Sequence, residues 1–258
     1  MILQMINCCE CFWFDFINWT CLWTLVTAVA TIGIGVIAYI QLEKYNNTAI
    51  ADFALKFKND FYNNCKTKDL LMLFEFNLLK FCQDKKEDND KLTHDYFDVI
   101  ENDLKKYKHI ENLLNEKRKN YNSDEIDDNI LGHYEDLGLF LKKGIISIDF
   151  IYIGFDYHIE KIYENDAIKD YIKEIRTQDI ENEDIYAEFD YLYKRIQEYK
   201  ITIYNKDIGK NPKCAKTYIK RGDAKIKLEQ KVSACIDYRK ALELGNSEAN
   251  ERIEKYCK

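Results

Sequence analysis

Two kinds of hydrophobic pattern divide this chain. From Phe16 to Leu42, FINWTCLWTLVTAVATIGIGVIAYIQL, apolar positions run on with no charged residue between Asp15 and Glu43. That run exceeds the roughly 20 apolar residues needed to cross a bilayer core. Trp19, Trp23 and Tyr39 stand toward its ends, where aromatic rings favour the lipid–water interface. The pattern predicts an uncleaved transmembrane helix over about residues 17–42, preceded by a short tail, the two making a first segment of residues 1–44. A cleaved signal peptide would carry basic residues before a shorter apolar core, and none precede Asp15. Beyond Asn46 the apolar residues instead recur every three or four positions, the period of amphipathic helices.

This second pattern predicts a helical bundle over residues 45–204. Ile50, Phe53, Phe57 and Phe61 share one face of a first helix. Leu70 to Cys82 is apolar on most sides, as expected of a helix at the centre of a bundle. A charged loop, QDKKEDNDK, follows, and then a long helix from about Tyr96 to Lys119 with Phe97, Ile100, Leu104 and Tyr107 inward. A helix over Glu125 to Lys143 stops at Gly144, a C-cap glycine. The next starts at an N-cap, Ser147, and two more run from Asp166 to Arg176 and from Glu183 to Lys200. No strand pattern competes, so the expected class is all-α.

Residues 205–258 form a third segment. The chain's one proline, Pro212, follows Asn211 and suits the first turn of a new helix. The sequence AKTYIKRGDAKIKLEQKVSACIDYRKALELGNSEANERIEKYC resembles a tetratricopeptide repeat. Tyr218 and Gly222 match its first helix; Ala234, Tyr238 and Ala241 match its second. Arg221 stands where a leucine is common, and Asn246 replaces the usual proline. A capping helix over Ser247 to Cys257 would bring Ala249, Ile253 and Cys257 over the end. One repeat cannot bury its own faces, so this unit is expected to dock on the bundle or complete a partner's array.

Charge sharpens the division. Residues 205–258 hold fourteen Lys and Arg against eight Asp and Glu, a net of +6, which leaves −13 for residues 1–204. An acidic body speaks against nucleic-acid binding. Lys213, Lys216, Lys220 and Lys227 fall on one side of the first repeat helix and read either as a solvated face or as a docking stripe for an acidic partner, the bundle itself or anionic lipid. Lysines follow the apolar run and none precede it, which places the N-terminus outside and the C-terminal segments in the cytoplasm, at the inner membrane. Cys65, Cys82, Cys214, Cys235 and Cys257 show no disulfide-like framework, consistent with that compartment. Thr27, Thr31 and Gly35 offer a small-residue stripe for self-association, the alternative being a lone anchor. In the tail CCEC, Cys8 and Cys11 have C-x-x-C spacing beside Cys9 but lack two further ligands, so they read as incidental thiols rather than a metal site.

Chemistry is sparse. HYEDLG puts His133, Glu135 and Asp136 together, and Ile126, Ile130, His133, Leu137 and Phe140 share one helical face. Leu131 and Leu139 form a second apolar stripe around Glu135, implying a desolvated carboxylate in need of a partner, for which Arg176 and Arg195 are the candidates. The alternative is a catalytic carboxylate beside His133 or His158. No metal-binding histidine pair, phosphate loop or nucleophile elbow occurs, and no metal or cofactor is expected.

The stretches IAYIQLEKYNN, DFALKFKNDFYN, DDNILGHYEDLGLFLKKGIISIDFIYIGFDYHIEKIYEN and IKDYIKEIR resemble, over residues 41–199, a widespread bacterial family of unknown function. The resemblance implies an N-terminal membrane helix, an all-helical cytoplasmic domain, and a characteristic glutamate before an apolar–Gly pair, here Glu135 and Gly138. The expected function is a membrane-anchored adaptor or scaffold with an unidentified protein partner and no catalysis. The alternatives are a membrane-tethered effector or enzyme using Glu135, and a membrane-active oligomer.

Overall fold

The computed structural model describes residues 34, 36–45, 47–82, 96–115, 117–178 and 182–258. The chain divides into two compact units, residues 1–55 and 56–258. In the first, residues 34, 36–45 and 47–55 are helical and largely exposed. Most of the expected 17–42 helix lies outside the described residues, as do Cys8, Cys9, Cys11, Thr27, Thr31 and Gly35. Among the described residues no helix is long and apolar enough to cross a membrane.

The second unit is mostly helical, as the period of three to four residues predicts. Its helices are α1 (residues 56–63), α2 (Cys65–Glu75), α3 (Glu101–Leu104), α4 (Lys108–Leu113), α5 (Ser123–Ile126), α6 (Gly132–Lys142), α7 (Ile148–Tyr163), α8 (Asp166–Gln178), α9 (Ala187–Lys210), α10 (Ala215–Lys227), α11 (Lys231–Glu243) and α12 (Glu248–Tyr256). A π-helical turn over Asp127–Leu131 joins α5 to α6. The expected caps form: Ser147 Oγ accepts from the Phe150 N–H, and Gly144 takes a left-handed φ of 69° after α6. Asn122 adds a reciprocal capping box with Glu125 at the start of α5.

Three short strands correct the reading of the 70–122 region. The helix expected to reach Cys82 ends at Glu75, where Asn77 adopts a left-handed φ of 52° and turns the chain into β1 (Leu79–Cys82). The long helix expected from Tyr96 is instead β2 (Tyr96–Val99), then α3, α4 and β3 (Asn120–Asn122). The strands pair antiparallel in the order β1-β2-β3, with Phe81 opposite Phe97 and Phe97 opposite Tyr121. Phe97, Val99 and Tyr121 are buried at alternate positions while Asn120 and Asn122 face outward, the period-two signature of a half-covered sheet. Tyr171 of α8 packs its ring on Phe81 and Phe97, at 5.4 and 5.3 Å between centroids.

One apolar core holds α1, α2, the sheet and α5–α9 together, through Phe61, Leu70, Phe74, Ile130, Leu137, Phe155 and Leu192 among others. Leu139, read as part of a second buried stripe, is exposed. Helix α9 runs on to Lys210, past the expected end at Lys200, and packs on α6, α7 and α10. The C-terminal hairpin α10–α11 therefore docks on the bundle, with its own small core of Tyr218, Ile219, Ala241 and Ala249. Asn211 ends α9 rather than capping α10, and Pro212 lies in the turn between them. The cysteine reading also changes, because Cys235 and Cys257 form a disulfide, with Cα atoms 5.7 Å apart.

Candidate functional site

Glu135 finds its partner in backbone, not in arginine. It projects from α6 toward the start of α9, where its carboxylate accepts the N–H of Glu188 at 3.2 Å and of Phe189 at 2.7 Å. These are among the first amides of a helix, which have no intrahelical acceptor. The α9 N-cap residue, Tyr186, has a left-handed φ of 62° and no capping side chain, so Glu135 supplies from another helix what the local sequence lacks. Its negative charge also meets the positive end of the α9 dipole. Burial, opposed by the two amide hydrogen bonds, still raises its pKa above the usual 4.5.

Gly138, one turn on, explains how the carboxylate gets so close. A Cβ on Gly138 would lie 2.0 Å from the Glu188 carbonyl oxygen, inside any tolerable contact. Only hydrogen lets α6 meet the α9 backbone there. Lys142, the next turn of α6, closes the joint with an ion pair to Glu188 at 2.7 Å. Glu135, Gly138 and Lys142 thus form one docking edge.

The two arginines do other work. Arg176 donates from Nε to the Ile185 carbonyl and pairs with Asp190 at 2.8 Å, fastening α8 to the chain entering α9. Arg195 pairs with Glu198 on the outside of α9. His133 is half-buried between Phe57 and Phe61, with ring centroids at 5.7 and 5.2 Å, and burial lowers its pKa below 6.5 against the nearby carboxylates of Asp136 and Asp128. Asp136 is exposed. The structure therefore brings His133 and Glu135 onto one helix but turns them to different neighbours.

Three further charged groups that sequence reasoning passed over each gather close partners. Asp127 accepts from Tyr171 and Tyr186 hydroxyls at 2.6 and 2.5 Å, and burial raises its pKa. Lys200, 9% exposed, reaches Asp156 and Glu160 of α7, each at 2.8 Å. Burial alone would lower the Lys200 pKa, but the two carboxylates outweigh it and raise it. Asp237 of α11, 1% exposed, holds Arg221 in a two-pronged pair and Lys225 at 2.8 Å. Arg221 is thus neutralised from the facing helix.

The residues matched to a repeat in the sequence fall together. Tyr218, Gly222, Ala234, Tyr238 and Ala241 are all buried between α10 and α11, and a Cβ on Gly222 would sit 2.5 Å from the Tyr238 ring. Of the lysine stripe, Lys213, Lys216 and Lys220 are exposed. Lys227 turns to the bundle and pairs with Glu160 at 3.2 Å and Glu164 at 2.7 Å. Beside it a cavity of about 530 Å³ opens between α8, α9 and the 228–229 turn, lined by Tyr163, Lys169, Tyr193, Lys194 and Lys227. Among the described residues no cluster of three or more His, Cys, Asp and Glu is placed to hold a metal ion.

Sequence comparison matches residues 27–196 to DUF4760, a domain of unknown function. No curated protein matches the chain, and no solved structure does.

Proposed function

The chain belongs to the DUF4760 family, of unknown function, and we propose that this member is a membrane-anchored adaptor whose C-terminal tetratricopeptide-like hairpin binds a protein partner at the cytoplasmic face of the inner membrane. The observation that carries this reading is the outer face of α11. Val232 and Ile236, one turn apart, are 80% and 61% exposed on a hairpin whose other side is fixed to α9. Two large apolar side chains held out on a rigid helix suit a partner helix or groove better than water. Exposed Lys213, Lys216 and Lys220, on a tail of net +6, favour an acidic partner.

The anchor rests on the uncharged run between Asp15 and Glu43, and the orientation on the lysines that follow it. The family match begins at residue 27, inside that run. The stripe Thr27, Thr31 and Gly35 would allow two anchors to pair. Against the enzyme reading stands the use of Glu135: both carboxylate oxygens are engaged by α9 amides.

The test is co-purification from gently solubilised membranes with full-length chain and with the double variant Val232→Asp/Ile236→Asp. Both substitutions are exposed, so the fold should hold. A protein retained by the first and lost by the second supports the adaptor; profiles that do not differ refute it.

A further inference from the structure

The last helix is poorly equipped to stay docked by itself. α12 has nine residues, short of the roughly 12 at which an isolated helix becomes even marginally stable. Ala249 is its one buried residue, the smallest side chain that could fill that role. Its polar hold is Arg252 Nε to Asp223 Oδ1 at 3.1 Å, with those side chains 29% and 37% exposed, an ion pair of the weak surface kind. Tyr256 stacks on Tyr238 at a loose 6.4 Å. A cavity of about 310 Å³ remains beneath, lined by Asp223, Ile226, Tyr238, Arg252 and Tyr256. What fastens the helix is covalent: Cys235, buried in α11, is bonded to Cys257 immediately after α12.

We propose that Cys235–Cys257 is a reversible thiol–disulfide latch that holds α12 over the α10–α11 hairpin and releases it on reduction by a dithiol. Cys257 is the more accessible residue of the pair, half-buried where Cys235 is 6% exposed. A dithiol's thiolate attacks the Cys257 sulfur, forms a mixed disulfide with it and expels Cys235 as thiolate, which takes up a proton. The second thiol of the reductant then displaces Cys257, which is protonated in turn. Two electrons and two protons pass to the cysteine pair, and the dithiol leaves as its disulfide. Lys231 Nζ reaches the backbone oxygen of Lys258, the residue after Cys257, at 3.4 Å, and positive charge in the neighbourhood of a disulfide favours an incoming thiolate.

With the bond cut, α12 loses the tether that closes a loop of 22 residues and is left with Ala249, the Arg252–Asp223 pair and the Tyr256–Tyr238 contact to hold it. Asp223 and Tyr238, which it covers, become accessible. The latch goes beyond the adaptor reading and does not depend on it.

Hydrogen exchange of the full chain, followed by mass spectrometry with and without dithiothreitol, tests the latch. Reduction should lower amide protection over residues 248–256 by roughly three-hundredfold, the factor that a tether of this loop length contributes. Cys257→Ser should show the same loss without reductant, and residues 187–210 should keep their protection throughout. Equal protection of α12 in both redox states would overturn the proposal. So would loss of protection across 187–210 as well, which would make the bond a staple of the whole unit. Failure to recover a Cys235–Cys257 linked peptide after treatment with oxidised glutathione would also overturn it.

Discussion

Replacing Glu135 by alanine removes the acceptor for two N–H groups at the start of α9. The Phe189 amide belongs to a fully buried residue and sits at 2.7 Å, so its loss counts in full. A buried donor left without a partner costs about 1–3 kcal/mol. The Glu188 amide, at 3.2 Å on a half-buried residue, can be met partly by water. Part of the cost is returned, because the raised pKa of Glu135 shows that burying its charge is itself unfavourable. The net expected loss is about 1–2 kcal/mol. For a unit of this size that lowers Tm by roughly 2–8 °C. Glu135→Gln keeps one carbonyl oxygen for Phe189 and sheds the charge, so it should lose less than the alanine variant. The assay is thermal unfolding by circular dichroism of wild type and both variants at pH 7. A Tm for Glu135→Ala within about 1 °C of wild type would refute the capping account, and abolished function in that same variant would make the carboxylate chemical.

Gly138→Ala should destabilise by about 3 kcal/mol or more, measured as a lower denaturant midpoint, because the added methyl overlaps the Glu188 carbonyl and not a flexible side chain. Lys200→Met should cost about 3 kcal/mol by the same measurement, since Asp156 and Glu160 are left facing each other with Lys227 and the Gln197 amide to answer Glu160. Burial lowers the pKa values of His133 and His158 below 6.5, so the unfolded chain takes up their protons first and stability falls as pH drops below about 6.5. His133 is faced by Asp128 and Asp136, and His158 by Glu75 and the Tyr62 hydroxyl. His133→Phe should make the unfolding free energy between pH 5 and 7 less steep, and an unchanged slope would refute that assignment.

The helices legible in the sequence are those with a full apolar period and a capping residue. α7 shows both, in Ser147 and the buried series Ile151, Phe155, Ile159 and Ile162. The hairpin residues were legible because small side chains at fixed spacing have one use, the close approach of two helices. The strands were not, since three or four residues carry at most two turns of a period-two pattern, and Leu79 and Phe81 continue the apolar run of α2. Glu135 was recognised as a buried carboxylate, but its partner is main chain, which has no letter of its own. A left-handed Tyr186 that leaves α9 uncapped is equally invisible, because tyrosine does not favour that conformation. Cys235 and Cys257 lie on different helices, and their pairing depends on how α12 folds back.

Helix α9 has 24 residues, a rod of roughly 36 Å. Its first turn is gripped by Glu135 and Gly138, while its later turns carry α10 and, through Asn205, the Arg221 guanidinium at 2.7 Å. Two modules that the sequence reading divides at residue 204 therefore share a strut. A load applied by a partner on the hairpin has no slack segment to absorb it and is delivered along the rod to the α6 joint. Fusions or cuts made near Tyr204 would saw through that strut, whereas the turn at residues 211–214 offers a seam.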